Sequence, residues 1–324
     1  MKILFYGAGV TGSYLIHVLL GEGHEVNVVL REEKKKLFAE NGMEIIHKYQ
    51  HLKTVDRPGI AEGEYLGEQY DAVFAAMPFT GITEVLKELA AADAPAVILV
   101  GNNPIASEME KYIKKYSAKP KEVLFGFQAT AGKTEDGKII CARLGAGYMD
   151  IGCTNRLPSD EIKKRVSEMF SRTGYKLNWR ADMKEYLICH PAAILPIAYT
   201  VYACGGELKN ADRKQRKMMF EASAEAYDLL KRTGVIIRPE NDDKYFGKGI
   251  RGLSMKLIYF IMAKTSVGEY AFSAHCRNAV AEMEKFDAFY ENMREPRPDI
   301  IMNTWDELKS KMPSWEELKE TYGN

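Results

Sequence analysis

The chain has 324 residues, with 45 lysines and arginines set against 45 aspartates and glutamates. Zero net charge supplies no long-range field for nucleic acid or an anionic membrane, so neither is expected as a partner. The length suits two domains, and 46% apolar with 28% charged residues is the make-up of a globular protein.

Five cysteines (Cys141, Cys153, Cys189, Cys204 and Cys276) are odd in number and scattered, without a CxxC pair. That speaks against a disulfide framework and against a metal site, and fits a reducing compartment. The opening MKILFYGAG runs straight into a strand and a glycine turn, with no leader pattern. The apolar stretch 257–263 falls far short of the roughly 20 residues a membrane span needs. A cytoplasmic protein is expected.

Residues 2–6 are an apolar run, followed by Gly7-Ala8-Gly9-Val10-Thr11-Gly12. A helical pattern through Leu15, Val18 and Leu19 ends at Gly21 and Gly23, and 26–30 reads as a second strand. Strand, glycine turn, helix and strand make a βαβ unit with a right-handed parallel crossover. Further strands are expected at 72–76, 97–100 and 123–125, with a helix over 82–89. Such alternation predicts an α/β fold, a doubly wound parallel sheet.

Residues 137–143 and 148–152 read as a strand pair joined at 145–147. Pro158-Ser159 opens a helix with the stripe Ile162, Val166, Met169 and Phe170, closed by Gly174, and 175–179 is the last strand. Beyond about residue 180 helical periodicity dominates. An α/β domain over 1–180 and an all-helical domain over 181–324 are expected. In the second, Met218, Met219, Tyr227 and Leu230 form a core stripe, and the basic run 213–217 is a solvated face. The loop 238–251 is either a cover or a mere excursion. Thr304-x-x-Glu307 and Ser314-x-x-Glu317 read as capping boxes.

A GxGxxG pattern carries weight only between a strand and a helix, and that context holds here. Gly7 permits the tight turn, Gly9 lets the backbone of Ala8, Val10 and Thr11 approach a pyrophosphate, and Gly12 allows helix and strand to pack closely. The helix start offers free N–H donors to the phosphates. Arg31 directly follows the second strand, with Lys34, Lys35 and Lys36 nearby, although Glu32 and Glu33 are close too. An arginine there suits a 2′-phosphate, so NADP is expected rather than NAD.

The segment GAGVTGSYLIHVLLGEGHEVNVVLR, then Leu37 and Asn41-Gly42-Met43-Glu44-Ile45, resembles the opening of the ketopantoate reductase (2-dehydropantoate 2-reductase) family in order and spacing. Residues 71–77 resemble its strand before the nicotinamide region, which places Met77 and Pro78 beside the cofactor. Gly101-Asn102-Asn103 resembles its strand-ending His-Asn-Gly type turn, and 126–152 follows its pattern. Pro196 and Gly206-Glu207-Leu208 match an Asn-Pro and Gly-Glu-Leu pair, and Ser273 and Asp287 match a late Ser and Asp. The resemblance spans nearly the whole chain and is strongest before residue 50. It implies a Rossmann domain, a helical domain, a substrate cleft between them and a 2-oxo acid substrate. Three positions depart from the pattern. The family's catalytic lysine falls at Leu187, with Lys184 one helical turn earlier; its acidic residue falls at Lys285, beside Glu284; and a lysine falls at Pro78. Asn102 and Ser273 are retained, so a relative with a different substrate is implied.

Reduction of a 2-oxo acid needs a hydride source, a proton donor and a cationic anchor for the carboxylate. Lys184 can serve as the acid if burial lowers its pKa. His190, in the apolar Leu187-Ile188-Cys189-His190-Pro191, titrates in the right range or is a core histidine. Lys285 is an anchor or a surface lysine. Asn102 orients substrate or nicotinamide, or forms a turn. Ser273 meets substrate or caps a helix. Three readings stay open: an NADP-dependent reductase; an opine-type dehydrogenase, whose His-Pro step His190-Pro191 resembles; and a non-catalytic NADPH sensor. A homodimer with Trp305 and Trp315 at its interface is expected.

Overall fold

In the computed structural model, which describes residues 1–323, β1 (Lys2–Tyr6) leads through the glycine turn into α1 (Val10–Gly21), and β2 (Glu25–Val29) pairs with β1 in parallel. Then come α2 (Glu32–Asn41), the antiparallel pair β3 (Met43–His47) and β4 (Leu52–Asp56), and the short β5 (Gly59–Ile60) on the outer edge of β2. The alternation continues with β6 (Ala72–Ala76), α3 (Phe79–Ala91), β7 (Ala96–Val100), α4 (Ala106–Tyr116) and β8 (Glu122–Gln128). Every residue of β6 and β7 is buried. Unbroken apolar runs of this kind belong to parallel strands covered on both faces. The hairpin β9 (Ala131–Glu135) and β10 (Lys138–Ala142), then β11 (Tyr148–Gly152), α5 (Asp160–Glu168) and β12 (Lys176–Arg180), complete the unit Met1–Lys184.

The main sheet runs β12-β11-β8-β7-β6-β1-β2-β5. From β5 to β8 all neighbours are parallel, β11 is antiparallel to β8, and β12 is parallel to β11. Growth of the sheet reverses at β1, with β2 on one side and β6 on the other. Such a switch point opens a crevice beyond the strand ends.

The expected pairing of 137–143 with 148–152 does not form. β10 instead lies in a second sheet of order β4-β3-β10-β9, antiparallel to β9 and parallel to β3. The reason is local. Asp136 and Gly137, with φ of 49° and 76°, make a two-residue turn of the hairpin-favouring kind and send β10 back along β9. The second sheet lies against the start of α1: a Cβ on Gly132 of β9 would meet the Ile140 carbonyl oxygen at 1.9 Å and Val10 Cγ1 at 2.9 Å.

The unit Glu185–Asn324 is helical. Its first helix, α6 (Met183–Ala203), begins at the end of the preceding unit and is long and apolar enough to cross a membrane, with mean hydropathy 1.3. However, 78% of that apolar stretch is buried within the protein, as in a core helix. α7 (Arg213–Arg232) and α8 (Ile250–Ala263) follow. Tyr199 meets Trp305 edge-on at 5.1 Å, and Tyr290 stacks on Trp305 at 5.8 Å. Trp305 is 1% exposed, which removes it as an anchor for a second copy. Trp315 is turned inward too, edge-on to Tyr202 with its Nε1 donating to Asp287 at 3.3 Å.

Of the two expected capping boxes only Ser314 with Glu317 forms. The other fails because a residue on α7 takes its place. Glu225 accepts from the backbone N–H groups of Thr304 and Trp305 at 3.1 and 2.8 Å, while Glu307 pairs with Lys311.

Candidate cofactor and substrate site

The three glycines of the turn do different physical work. Gly7 has φ of 91°, and a Cβ there would lie 2.5 Å from the Ala76 carbonyl oxygen. A Cβ on Gly12 would lie 2.1 Å from the Gly7 carbonyl oxygen. Both positions are closed by backbone, which is why only glycine fits. Around Gly9 nothing lies within 4 Å of the Cβ position. Its surface is open, as a bulky phosphate group requires. No side chain caps α1 at Gly9, so the first-turn N–H groups of Val10, Thr11 and Gly12 are left for a ligand.

Beside the turn, Lys34 Nζ donates to the Ala8 carbonyl at 2.8 Å. Burial and then the neighbouring Arg31 push the Lys34 pKa down. Arg31 itself is the exposed residue preceding α2 and makes no ion pair among the described residues. The role of Lys34 was not singled out in the sequence; its signal is a cation in the first turn of α2, on the side facing back towards the glycine turn.

Three strand ends converge here. The Gly7 Cβ position is 3.3 Å from Met77 Cβ, and that of Gly101 is 3.3 Å from the Met77 carbonyl oxygen. Gly7, Met77 and the Gly101-Asn102 step thus share the edge at the switch point, with Pro78 exposed at the start of α3. Asn103 takes the turn-forming work, accepting from Ile105 N at 3.2 Å and donating to Met109 Sδ at 3.1 Å. Asn102 is different: it is buried, and its amide oxygen has no partner among the described residues. A buried acceptor left open costs free energy unless a ligand supplies a donor. Open Gly9, uncapped α1 and unpartnered Asn102 together fit a dinucleotide.

The helical candidates fare less evenly. Lys184 is exposed, so it lacks the burial that a lysine acid requires. Lys285 is exposed on the helix Val280–Arg294, the setting of a surface lysine rather than an enclosed anchor. Ser273 is buried and accepts from the Leu208 N–H at 3.1 Å, so it holds the chain after α6 in place. Asp287 is likewise engaged, by the Tyr199 hydroxyl at 2.5 Å and by Lys309 at 2.8 Å. His190 remains. Burial, then the nearby His275, pushes it down to about 4, so it is neutral at pH 7. Among the helical candidates only His190 has a second titratable imidazole close by, and Ser273 ends a π-helical turn two residues before that histidine. A cavity of about 400 Å³ is lined by Tyr227, Lys231, Asp243, Lys244, Lys248 and Arg251 among others, and by none of the candidates. The loop 238–251 therefore walls a cavity of the helical unit itself.

Residues 3–156 match the family model described as ketopantoate reductase PanE/ApbA. No curated protein matches the sequence. Among solved structures, the ternary structure of D-mandelate dehydrogenase with NADH and anilino(oxo)acetate is similar with a TM-score of 0.74 at 13% identity, covering 100% of both chains. A PanE/ApbA family ketopantoate reductase from Ralstonia eutropha JMP134 gives 0.73 at 13% identity, again over 100% of both. The 2-dehydropantoate 2-reductase from Geobacter metallireducens GS-15 gives 0.69 at 16%, covering 96% of this chain and 98% of that one. At such identities the likeness establishes the fold.

Proposed function

We propose that this chain, whose residues 3–156 match the ketopantoate reductase PanE/ApbA family model, is an NADP-dependent oxidoreductase that reduces a 2-oxo acid, 2-dehydropantoate or a related carbonyl. The observation that carries the reading is the switch-point edge, where the glycine turn is open at Gly9 and the buried Asn102 amide oxygen has no partner. When bound, the nicotinamide supplies the hydride. Gly9 and the first turn of α1 hold the pyrophosphate. Arg31, exposed and outside any ion pair among the described residues, takes the 2′-phosphate as a bidentate partner. The solved D-mandelate dehydrogenase carries NADH and an oxo-acetate; its ligand supports the substrate class, and its cofactor makes the NADPH-against-NADH comparison decisive.

Asn102 accepts from a donor on cofactor or substrate and so orients the reacting carbon. His190, neutral at pH 7, is ready to take a proton from an alcohol; in the reductive direction it must first gain one, and a substrate carboxylate nearby raises its pKa. Lys184, exposed at the start of α6, becomes the rival donor only if bound substrate buries it. A second reading, a non-catalytic NADPH sensor, is favoured by the exposure of Lys184 and Lys285 and the structural engagement of Ser273. Oxidation of NADPH and NADH, followed by the nicotinamide absorbance over a panel of 2-oxo acids including ketopantoate, tests all of this. Turnover with NADPH and an oxo acid alone supports the reductase. Turnover only after an amino acid is added assigns an opine-type reaction, with His190 as its proton carrier. Tight NADPH binding without turnover on any substrate assigns the sensor.

A further inference from the structure

The cavity of about 400 Å³ in the helical unit falls within the ~300–1,000 Å³ of ligand pockets, but its walls are not the usual apolar ones. Among the described residues, four cations line it (Lys231, Lys244, Lys248 and Arg251) against one carboxylate, Asp243. Lys231 meets Asp243 at 3.3 Å, whereas Lys244, Lys248 and Arg251 make no ion pair among the described residues. The neighbouring Asp242 accepts from the Tyr227 hydroxyl. In a chain whose 45 basic and 45 acidic side chains balance, three uncompensated cations around one cavity make a local positive field suited to an anion.

Two of these cations sit in a second GxGxxG, Gly247-Lys248-Gly249-Ile250-Arg251-Gly252, with the spacing of the cofactor turn. A Cβ on Gly252 would lie 2.0 Å from the Gly247 carbonyl oxygen, much as one on Gly12 would lie 2.1 Å from that of Gly7. Nothing lies within 4 Å of the Cβ position of Gly249, as with Gly9. α8 starts at Ile250 without a side-chain cap, just as α1 starts at Val10, so its first N–H groups are open. What precedes the two turns differs. A strand leads into the first and a single 3₁₀ turn (Asp242–Tyr245) into the second, so the second lacks the strand of a dinucleotide fold. What the turns share is the part that meets phosphate.

We propose that this cavity binds the phosphate end of a small phosphorylated ligand, with Arg251 as its bidentate partner and Lys244 and Lys248 as further cations. A phosphate offers oxygens to a guanidinium fork, to ammonium groups and to helix-start N–H groups at once, where a carboxylate has only two. The uncompensated cations define the site, and the start of α8 adds donors to it. The loop 238–251 is then a ligand-binding loop of the helical unit.

The test is calorimetric titration of inorganic pyrophosphate into the full-length protein with NADPH already saturating, which separates this cavity from the cofactor turn. One pyrophosphate per chain is expected, bound about tenfold more weakly or worse by Lys248→Ala/Arg251→Ala, with far-UV circular dichroism and NADPH affinity unchanged. Gly9→Ala, titrated without nucleotide, is expected to keep the site. Lys244→Ala should weaken binding about threefold, which keeps the test valid should the double variant misfold. No binding to the wild type, equal binding by the lysine and arginine variants, or loss in Gly9→Ala overturns the proposal. Because α8 also turns Ile250, Leu253 and Leu257 outward, at 88%, 70% and 59% exposure, vesicles containing phosphatidic acid form a separate arm. Co-sedimentation with them while pyrophosphate fails to bind overturns the proposal and gives the cations to a lipid surface.

Discussion

The two units build their candidate sites from different materials. In the Rossmann unit the site is made largely of backbone: a glycine turn, the start of α1 and the ends of β1, β6 and β7. Its open groups, Gly9 and the Asn102 oxygen, are spare because the fold does not use them. In the helical unit the polar candidates are side chains, and the fold uses two of them. Ser273 holds Leu208, and Asp287 holds Tyr199, Trp315 and Lys309. A site made of backbone survives sequence change, whereas a site made of side chains can be reassigned to packing. On that contrast the glycine turn is kept while Leu187, fully buried in the helical unit, departs from the resemblance.

The sharpest way to break the comparison is within the turn itself. Gly12→Ala drives a Cβ to 2.1 Å from the Gly7 carbonyl and is expected to cost about 3 kcal/mol or more, with NADPH binding lost. Gly9→Ala meets open space, so unfolding in urea should be unchanged while NADPH affinity, read by fluorescence titration, falls at least tenfold. Equal stability losses for the two would end the claim that only Gly9 faces the ligand.

Next in size is Glu22, which is buried and accepts from Arg172 N at 2.7 and 2.8 Å, Thr173 N at 2.6 Å and the Thr173 hydroxyl at 2.7 Å. Burial alone would raise its pKa, but these hydrogen bonds outweigh it and hold the carboxyl below its ordinary 4.5. Glu22→Ala is expected to cost about 2 kcal/mol in urea unfolding at pH 7, as charged hydrogen bonds do. Because the folded pKa is the lower one, this stabilisation is present above pH 4.5 and disappears as pH falls through the depressed value.

Each unit also holds a histidine pushed down to about 4: His47, by burial and then His17 and Arg143, and His190, by burial and then His275. The unfolded chain protonates first, near the ordinary 6.5, so stability should fall as pH drops from 6.5 towards 4. His190→Gln should flatten the pH dependence of the helical unit's unfolding and leave that of the Rossmann unit unchanged; flattening of both would refute separate contributions.

A smaller effect, about 1.4 kcal/mol or tenfold, is expected for Arg31→Ala on NADPH affinity, with NADH affinity unchanged. An equal loss for both nucleotides would remove Arg31 from 2′-phosphate recognition. Smallest is Lys285→Ala, which should alter stability by less than about 0.5 kcal/mol and turnover by less than twofold, as befits a surface lysine. A large fall in turnover would restore it as the carboxylate anchor.

Much of the fold was legible in the residues. The strands 2–6, 72–76 and 97–100 and the helical second half followed from apolar runs and periodicity, which are properties of neighbours along the chain. The pairing of β10 was missed even though its signal was present, since Asp136-Gly137 between apolar runs specifies a two-residue hairpin. The Thr304 box was a sound local reading that a carboxylate from α7 displaced. Asn102 and Asn103 are indistinguishable as letters, and only the partners of one and the absence of partners for the other separate them.

By itself, then, the sequence determined the glycine turn and its place between β1 and α1, because a positive φ and free helix-start N–H groups are local consequences of residue type. Which side chains remained for chemistry was decided only by tertiary structure. Ser273 meets Leu208 across 65 residues and Asp287 meets Tyr199 across 88, and the direction in which the apolar face of α8 points depends on what packs behind it. Periodicity reports that a face exists; only the packing of distant segments reports whether it is covered.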